Sequence, residues 1–214
     1  RVASALGLDC YETPTGWKFF GNLLDDGRIR LCGEESFGTG ADHVREKDGL
    51  WAVLCWLNII AARDATPEEI MRDHWRRYGR DYFTRHDYEG LDSAGAKALY
   101  SALQAALPGL VGRRVGTLTI ASADDFSYTD PVDGSFTSNQ GIRISFDNQA
   151  RIVLRLSGTG TQGATLRAYF DCFEADPERL DLDPQEALKT LIDAAEEIAG
   201  ITRHTGRAEP DVIT

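Results

Sequence analysis

Three glycines in the second half of the chain have the spacing of a dinucleotide-binding motif. Gly158, Gly160 and Gly163 spell G-x-G-x-x-G. That motif needs a strand before the glycines and a helix after them, because the pyrophosphate sits on the helix N-terminus. The residues from Leu166 to Asp171 instead alternate between apolar and polar, which is typical of a strand. The sequence therefore argues against a bound dinucleotide.

The same loop carries groups that bind phosphate well. Ser157, Thr159 and Thr161 offer hydroxyls, and the glycines free backbone N–H groups to form an anion-binding concavity. Arg155 precedes the loop and Arg167 follows it, and a guanidinium group can hold a phosphate through two parallel hydrogen bonds. The alternative is an ordinary glycine hairpin with solvated arginines. The two flanking arginines favour the phosphate site.

A second cluster of polar residues lies in the stretch CGEESFG. Glu34, Glu35 and Ser36 stand between a predicted strand and a predicted helix. A carboxylate and a hydroxyl this close suit a vicinal diol, because carboxylate oxygens can accept hydrogen bonds from two adjacent hydroxyls. Taken alone, these residues are equally consistent with a solvated acidic turn.

The composition limits the partners of this chain. Its 214 residues carry a formal charge of −11, and the sequence pI is about 4.8. Nucleic acids and anionic membranes need a basic face, so we expect neither as a partner. The histidines have no metal-ligand spacing, which predicts no metal site within the chain. Four scattered cysteines without a C-x-x-C pair predict reduced thiols and a cytoplasmic location, at positions Cys10, Cys32, Cys55 and Cys172.

Residues 1–80 are predicted to form part of a mixed α/β domain. The opening RVASALGL has the pattern of a helix end. We expect a hairpin of two strands, near Trp17–Leu24 and Arg28–Cys32. A buried core helix over Leu50–Ala62, capped by Asp48, and a helix from Thr66-Pro67 to Gly79 follow. One apolar helix and two or three strands are too few to cover that helix on all sides.

Residues 81–214 are predicted to form a small α+β domain with a mostly antiparallel sheet. A helix near Ser93–Leu107 stops at Pro108-Gly109, and a final helix runs from Asp183-Pro184 to near Gly200, followed by a polar tail. The expected strands lie near Val115–Ser122, Gly141–Phe146, Arg151–Leu156 and Thr165–Phe173.

Together the two polar loops resemble a known family. GEESFG followed by DHVREKDGLWAVL, and later RLSGTGT, is similar to the C-terminal part of the α-D-phosphohexomutases, and among them to the phosphoglucomutases most closely. ETPTGWKFFGNL, DYFTRHDYE, DPVDG, NQGIRI and TGRAEP fit the same resemblance, which covers Tyr11 to Thr214. It implies that residues 1–80 are the C-terminal portion of the third of four domains. Residues 81–214 would be the fourth, with a TATA-box-binding-protein-like fold.

The resemblance also implies roles for individual residues. Glu34 and Ser36 would hold two hydroxyls of the sugar, and Thr15 and Gly16 would line the same cleft. Lys47 would reach the substrate as the candidate catalytic residue, assisting proton transfer. The phosphate that does not react would be held by Arg85, Arg155, Ser157, Gly158, Thr159 and Arg167.

The implied reaction interconverts glucose 1-phosphate and glucose 6-phosphate. A phosphoserine and Mg²⁺ take part, and glucose 1,6-bisphosphate is the intermediate. The family's T-A-S-H-N-P serine motif and D-G-D-x-D-R metal loop do not occur in this chain. We therefore expect the chain alone to be inactive and to have missing N-terminal domains as its partner. The alternatives are a stand-alone, non-catalytic module that binds a hexose phosphate and a phosphomannomutase-type relative.

Overall fold

The computed structural model describes residues 1–160 and 163–214, with only the backbone described at 159 and 160. Thr161, predicted above to offer a hydroxyl, lies outside the described residues. The chain divides into two compact units. The first consists of residues 1–78 and 127–138, and the second of residues 79–126 and 139–214.

The elements have the following bounds in chain order. The α-helices of the described residues are α1 (Val2–Leu6), α2 (Lys18–Asp25), α3 (Gly49–Arg63), α4 (Pro67–Tyr78), α5 (Ser93–Ala106), α6 (Pro184–Ala187), α7 (Lys189–Ala199) and α8 (Ile201–Thr205). The strands are β1 (Leu31–Gly33), β2 (Thr39–Ala41), β3 (Arg80–Leu91), β4 (Arg114–Val115), β5 (Leu118–Asp125), β6 (Tyr128–Thr129), β7 (Phe136–Thr137), β8 (Ile142–Phe146), β9 (Arg151–Gly160), β10 (Gly163–Glu174) and β11 (Val212–Ile213).

The second unit is built on an antiparallel sheet with the strand order β11-β3-β10-β9-β8-β5-β4. Alternate residues of its central strands point to one face and are fully buried, among them Ile144, Ile152, Leu154 and Leu166. They form one core with apolar residues of α5 and α7, such as Leu99 and Leu191. The predicted α+β class with a mostly antiparallel sheet is confirmed, and the TATA-box-binding-protein-like description stays a prediction.

The strand predicted after the glycines is confirmed. β10 begins at Gly163 and pairs with both β9 and β3. A strand presents no row of free N–H groups at its start as a helix does, so the pyrophosphate position of the dinucleotide fold is absent from this part of the described chain.

The predicted strand at Trp17–Leu24 is wrong, because this segment is α2. Its buried residues are Phe19, Phe20, Leu23 and Leu24, whose i, i+4 spacing is helical. The spacing of the apolar residues decides the structure of this segment. The hairpin forms instead between β1 and β2, with Cys32 opposite Gly40.

The apolar helix over Leu50–Ala62 exists as α3, but its predicted burial is wrong. As predicted, Asp48 caps it, because Oδ1 accepts a hydrogen bond of 2.9 Å from the Trp51 N–H. No side chain of α3 is buried among the described residues, and Leu50 and Leu54 are 81% and 59% exposed. Within the first unit, the described strands form only two-stranded pairs, too small to cover the helix.

Three features of the second unit differ from the sequence analysis. β3 was not predicted at all, although it runs for 12 residues. The final helix is interrupted at Leu188, between α6 and α7. The supposedly polar tail contains α8 and also β11, which pairs with β3.

The hairpin of residues 127–138 follows β5 and precedes β8 in the sequence, but it belongs to the first unit. Its strands β6 and β7 pair with each other. Tyr128 packs edge-on against Phe19 of α2 with ring centroids 5.6 Å apart. Asn22 Nδ2 donates a 3.0 Å hydrogen bond to the Asp133 carboxylate. Residues 127–138 are therefore bound to α2 by both apolar and polar contacts.

Candidate functional site

The loop between β1 and β2 is a closed turn. The Glu34 N–H donates a hydrogen bond of 2.8 Å to the Gly38 carbonyl, and the Phe37 N–H donates one of 3.1 Å to the Glu34 carbonyl. Phe37 adopts a φ of 65°, a left-handed conformation that is costly for a bulky residue. The backbone thus fixes the position of Glu34 and leaves the side chain of Ser36 exposed.

Glu34 and Lys47 form an ion pair on this loop. The Glu34 side chain is only 8% exposed, whereas that of Lys47 is half exposed. A carboxylate so deeply buried needs a charged partner, and the ammonium group supplies it. The stem of Lys47 crosses Gly38 so closely that a Cβ there would lie 2.9 Å from Lys47 Cδ. The structure therefore brings together two residues that the sequence analysis assigned to one sugar site.

Trp17 joins the Thr15–Gly16 segment to that loop. Its ring lies against Gly40, where a Cβ would be 3.1 Å from Cζ2, and Lys47 Nζ lies 5.7 Å from the ring centroid. Thr15 is exposed, and Gly16 has a φ of 133° that only glycine adopts easily. The sequence analysis assigned no role to Trp17, although this residue directly follows Thr15 and Gly16, which were assigned to the sugar site.

The glycines of the second unit lie where β9 ends and β10 begins, with Gly158 and Gly160 in β9 and Gly163 as the first residue of β10. Gly158 has a φ of 65°, and Gly163 a φ of 95°. A Cβ at Gly163 would lie 3.1 Å from the Leu91 carbonyl oxygen, so this position needs glycine for both conformation and space. The register between the strands shifts here, with Gly163 opposite Gly160 and Thr165 opposite Ser157. The side chain of Thr159 lies outside the described part of the chain.

Three arginines predicted to bind phosphate share one face of the sheet. Arg155 on β9 stands directly opposite Arg167 on β10, which in turn stands opposite Asp87 on β3. Arg85 lies two residues from Asp87, and its Nε donates to Asp87 Oδ1 at 2.8 Å. Arg167 Nε lies 3.6 Å from Asp87 Oδ2. Sequence reasoning missed Asp87.

The charges on this face leave a local positive excess. In the row Asp87, Arg167 and Arg155, two positive charges stand against one negative charge, and Arg85 donates to the same carboxylate from the neighbouring row. Other arginines of the face each have an aspartate of their own, since Arg143 pairs with Asp124 at 2.7 Å and Arg151 with Asp171 at 2.9 Å. Among the described residues Arg155 contacts no carboxylate, only the Tyr169 hydroxyl at 3.5 Å. An excess confined to one row suits a phosphate dianion.

Two groups near these loops have raised pKa values. Burial raises the pKa of the Cys32 thiol on β1, with Arg45 opposing and Glu34 adding to the effect. Burial raises the pKa of Tyr100 on α5 to about 12, Asp125 raises it further and Arg155 opposes. Both groups therefore stay protonated at pH 7, and neither adds negative charge to a candidate site.

A site for Mg²⁺ needs several oxygen ligands close together, carboxylates above all. Within residues 1–160 and 163–214, no three His, Cys, Asp or Glu side chains are grouped so that they could hold a metal ion. The residues present therefore do not fit a resident Mg²⁺. The same part of the chain contains no helix that is long and apolar enough to cross a bilayer.

Family models match almost all of the chain. Residues 80–211 match the model described as phosphoglucomutase-1, C-terminal domain. Residues 1–78 match the model described as phosphoglucomutase/phosphomannomutase, alpha/beta/alpha domain III. The chain belongs to the phosphoglucomutase family. The resemblance inferred from the sequence motifs is thereby confirmed.

The individual proteins that match this chain are also named phosphoglucomutases. A phosphoglucomutase from Rhizobium radiobacter is 59% identical over 214 residues, which is all of this chain and 40% of the relative. Human phosphoglucomutase-1 is 51% identical over 220 residues, again all of this chain and 39% of the relative. The chain thus spans about 40% of the length of the curated relatives it matches.

A solved structure supports the mixed α/β architecture. It is the open form of the exocytosis-sensitive phosphoprotein pp63/parafusin, a phosphoglucomutase from Paramecium. It is 47% identical to this chain, with a TM-score of 0.90, and the match covers 100% of this chain and 37% of that one.

Proposed function

We propose that this chain is the hexose-phosphate-binding part of a phosphoglucomutase that interconverts glucose 1-phosphate and glucose 6-phosphate. The observation that supports it most is the row of Arg155 and Arg167, which lie directly opposite each other beside the glycine loop and, among the described residues, are balanced by one carboxylate. Like charges placed opposite each other on a sheet are destabilising. A bound phosphate relieves that repulsion, so the row is better suited to a loaded site than to an empty one.

On the second unit, Arg85, Arg155 and Arg167 hold the phosphate group that does not react. Ser157 and Thr159 add hydroxyl donors, and the left-handed Gly158 turns the backbone so that N–H groups can point at the anion. These groups bind a phosphate in either orientation of the sugar, because they recognise charge and shape only.

On the first unit, Glu34 and Ser36 bind two hydroxyls of the hexose, with Thr15 and Gly16 lining the same cleft. The Lys47 ammonium group orients the Glu34 carboxylate and holds a proton at Nζ next to the substrate. A carboxylate that accepts from a vicinal diol suits either orientation of the sugar, as an isomerase requires. Positioning and neutralisation of charge are the chain's contribution to the rate.

The phosphoserine and Mg²⁺ belong, in this proposal, to domains outside this chain. The whole enzyme transfers the phosphoryl group to the sugar, and the resulting glucose 1,6-bisphosphate returns its other phosphate to the serine. The exposed apolar α3 favours such domains as the partner, since a helix that is apolar on all sides is normally buried. The free thiols are consistent with a cytoplasmic location, which is part of the same proposal.

The proposal is tested by titrating the 214-residue chain with glucose 1-phosphate and with inorganic phosphate, by calorimetry and amide NMR. Arg155→Ala should weaken binding of both ligands by about 1.5–3 kcal/mol, the range for hydrogen bonds to charged groups. The matched control is Arg113→Ala, an exposed arginine that pairs with Glu197. Equal affinity of the wild type and Arg155→Ala for both ligands would contradict the assignment.

The same titration distinguishes the candidate sugar loop of the first unit from the candidate phosphate loop of the second. Inorganic phosphate should shift amide signals of the second unit around Gly158 and Gly163. Only glucose 1-phosphate should also shift those of the β1–β2 loop. If glucose 1-phosphate shifts the amide signals of neither loop, the proposed function is wrong.

A further inference from the structure

Asp87 occupies a distinctive position in the sheet. It lies in the same row as the two arginines that flank the glycine loop, in the order Asp87, Arg167, Arg155 across three neighbouring strands. On its other side it stands opposite Val212 of β11, and its carbonyl accepts a 2.8 Å hydrogen bond from the Asp211 N–H. The backbone of Asp87 is therefore held from both sides.

The carboxylate of Asp87 is buried between two cations. Its side chain is 5% exposed, with Arg85 Nε at 2.8 Å from one oxygen and Arg167 Nε at 3.6 Å from the other. Arg85 is itself only 17% exposed, while Arg167 is 39% exposed. One buried carboxylate thus contacts two of the three arginines proposed to hold phosphate.

Arg167 has an unused donor at this point. Its Nε is buried and donates to no acceptor within hydrogen-bond distance among the described residues. A buried N–H without an acceptor is costly, so the position of this guanidinium group must be maintained by its surroundings. The nearby Asp87 oxygen attracts it electrostatically without binding it fully, which keeps its donors available to another acceptor.

Simple electrostatics does not explain why an anion site contains an aspartate. A negative charge repels phosphate, and its removal should strengthen binding if charge alone mattered. Three unopposed guanidinium groups, however, would repel one another and lose a common orientation. The gain from ordered donors then outweighs the repulsion, because a preorganised site loses less side-chain entropy on binding.

We propose that Asp87 is a positioning residue of the phosphate site. It holds the guanidinium groups of Arg85 and Arg167 in fixed positions before the ligand arrives. This inference rests on the proposed function and deepens it by assigning a role at the same site to a residue that does not touch the ligand.

The test compares Asp87→Asn with Asp171→Asn. Asp171 lies on the same strand as Arg167 and pairs with Arg151 across the sheet, so it is a matched Asp–Arg pair outside the site. Asp87→Asn should raise the dissociation constant for inorganic phosphate about tenfold, equivalent to about 1.4 kcal/mol. Asp171→Asn should leave it unchanged. Unchanged or tighter binding by Asp87→Asn would overturn the proposal.

A second measurement needs no variant and remains informative if Asp87→Asn fails to fold. In the wild-type chain without phosphate, the Nε–Hε NMR signals of Arg85 and Arg167 should already show slow exchange with water and restricted motion. If both side chains become ordered only after phosphate is added, Asp87 does not position them.

The outcomes also separate this inference from the proposed function. If the wild type binds no phosphate, both are overturned. If the wild type binds phosphate, Arg155→Ala weakens binding and Asp87→Asn does not, the site stands and only the role of Asp87 is wrong.

Discussion

At the residue scale, Glu34 combines a carboxylate with near-complete burial and an ion pair to Lys47. Such a group is expensive to place in a loop unless it binds something there. Glu34→Gln keeps the shape but removes the charge that attracts sugar hydroxyls. We expect affinity for glucose 1-phosphate to fall about tenfold, near the lower end of the range for hydrogen bonds to charged groups.

Calorimetry with two ligands checks this prediction. Affinity for inorganic phosphate should not change, because Glu34 and the arginine row belong to different units. Glu46→Gln, an exposed glutamate beside Lys47, is the control. An equal loss for both ligands in Glu34→Gln would indicate a general defect of the fold rather than lost sugar recognition.

A site residue can be predicted from the sequence when the residues that reveal its role lie close to it along the chain. Arg155 and Arg167 flank a glycine loop, so both are visible in one short stretch. Asp87 stands 80 positions before Arg167, and its relation to that arginine appears only once β3 is paired with β10. Trp17 was missed for a similar reason, since its contacts with Gly40 and Lys47 depend on how the turn folds back.

At the element scale, β11 is attached to β3 by an acid-sensitive contact. Asp211 accepts a 2.8 Å hydrogen bond from the Glu89 N–H and another of 2.8 Å from Arg207. The Glu89 N–H chiefly, with Arg207, lowers the pKa of the Asp211 carboxyl. A lowered folded-state pKa stabilises the attachment above the unfolded value of about 3.9, and this stabilisation is lost as pH falls through the folded pKa.

Hydrogen exchange measures this attachment directly. The Arg85 N–H donates to the Thr214 carbonyl at 2.8 Å, so its protection reports whether the C-terminal segment is docked. Protection of Arg85, corrected for the intrinsic exchange rate, should be constant near neutral pH and should fall in acid. In Asp211→Asn, the acid-dependent part should disappear. Equal protection of Arg85 in the wild type at all pH values would contradict the prediction.

Because α3 is exposed, substitutions on it should change the free energy of unfolding very little. Leu57 is 55% exposed, so Leu57→Asn should change the free energy of unfolding of this chain by no more than about 0.5 kcal/mol. Leu154 is fully buried in the sheet, and Leu154→Ala should cost about 2–5 kcal/mol. Urea unfolding followed by circular dichroism compares the two variants. A large loss in Leu57→Asn would show that α3 is covered after all.

The elements that were predicted well have strong local signals. The start of α4 is an example, because Thr66 and Glu69 form the reciprocal capping hydrogen bonds that the sequence T-P-E-E predicts. β3 was missed because its buried face reads Tyr82, Thr84, His86 and Tyr88, which are partly polar. His86 and Thr84 are tolerated there because both bond to the Gln185 amide, a partner about 100 positions away.

At the scale of the whole molecule, the proposal predicts that this chain has no mutase activity alone. The serine and metal motifs of the family do not occur in its sequence. A coupled assay with Mg²⁺, glucose 1-phosphate and glucose 1,6-bisphosphate should give no glucose 6-phosphate above the background. Turnover that depends on the chain and is abolished by Arg155→Ala would refute this prediction and require a nucleophile within these 214 residues.

The hairpin of residues 127–138 has a consequence for how such proteins can be recombined. Because it groups with the first unit, the chain passes between the units three times, at residues 78–79, 126–127 and 138–139. A chimera made by one crossover near residue 78 would therefore combine α2 from one parent with Tyr128 and Asp133 from the other. Compatible exchanges must transplant the hairpin together with residues 1–78, so the inherited module is discontinuous in the gene.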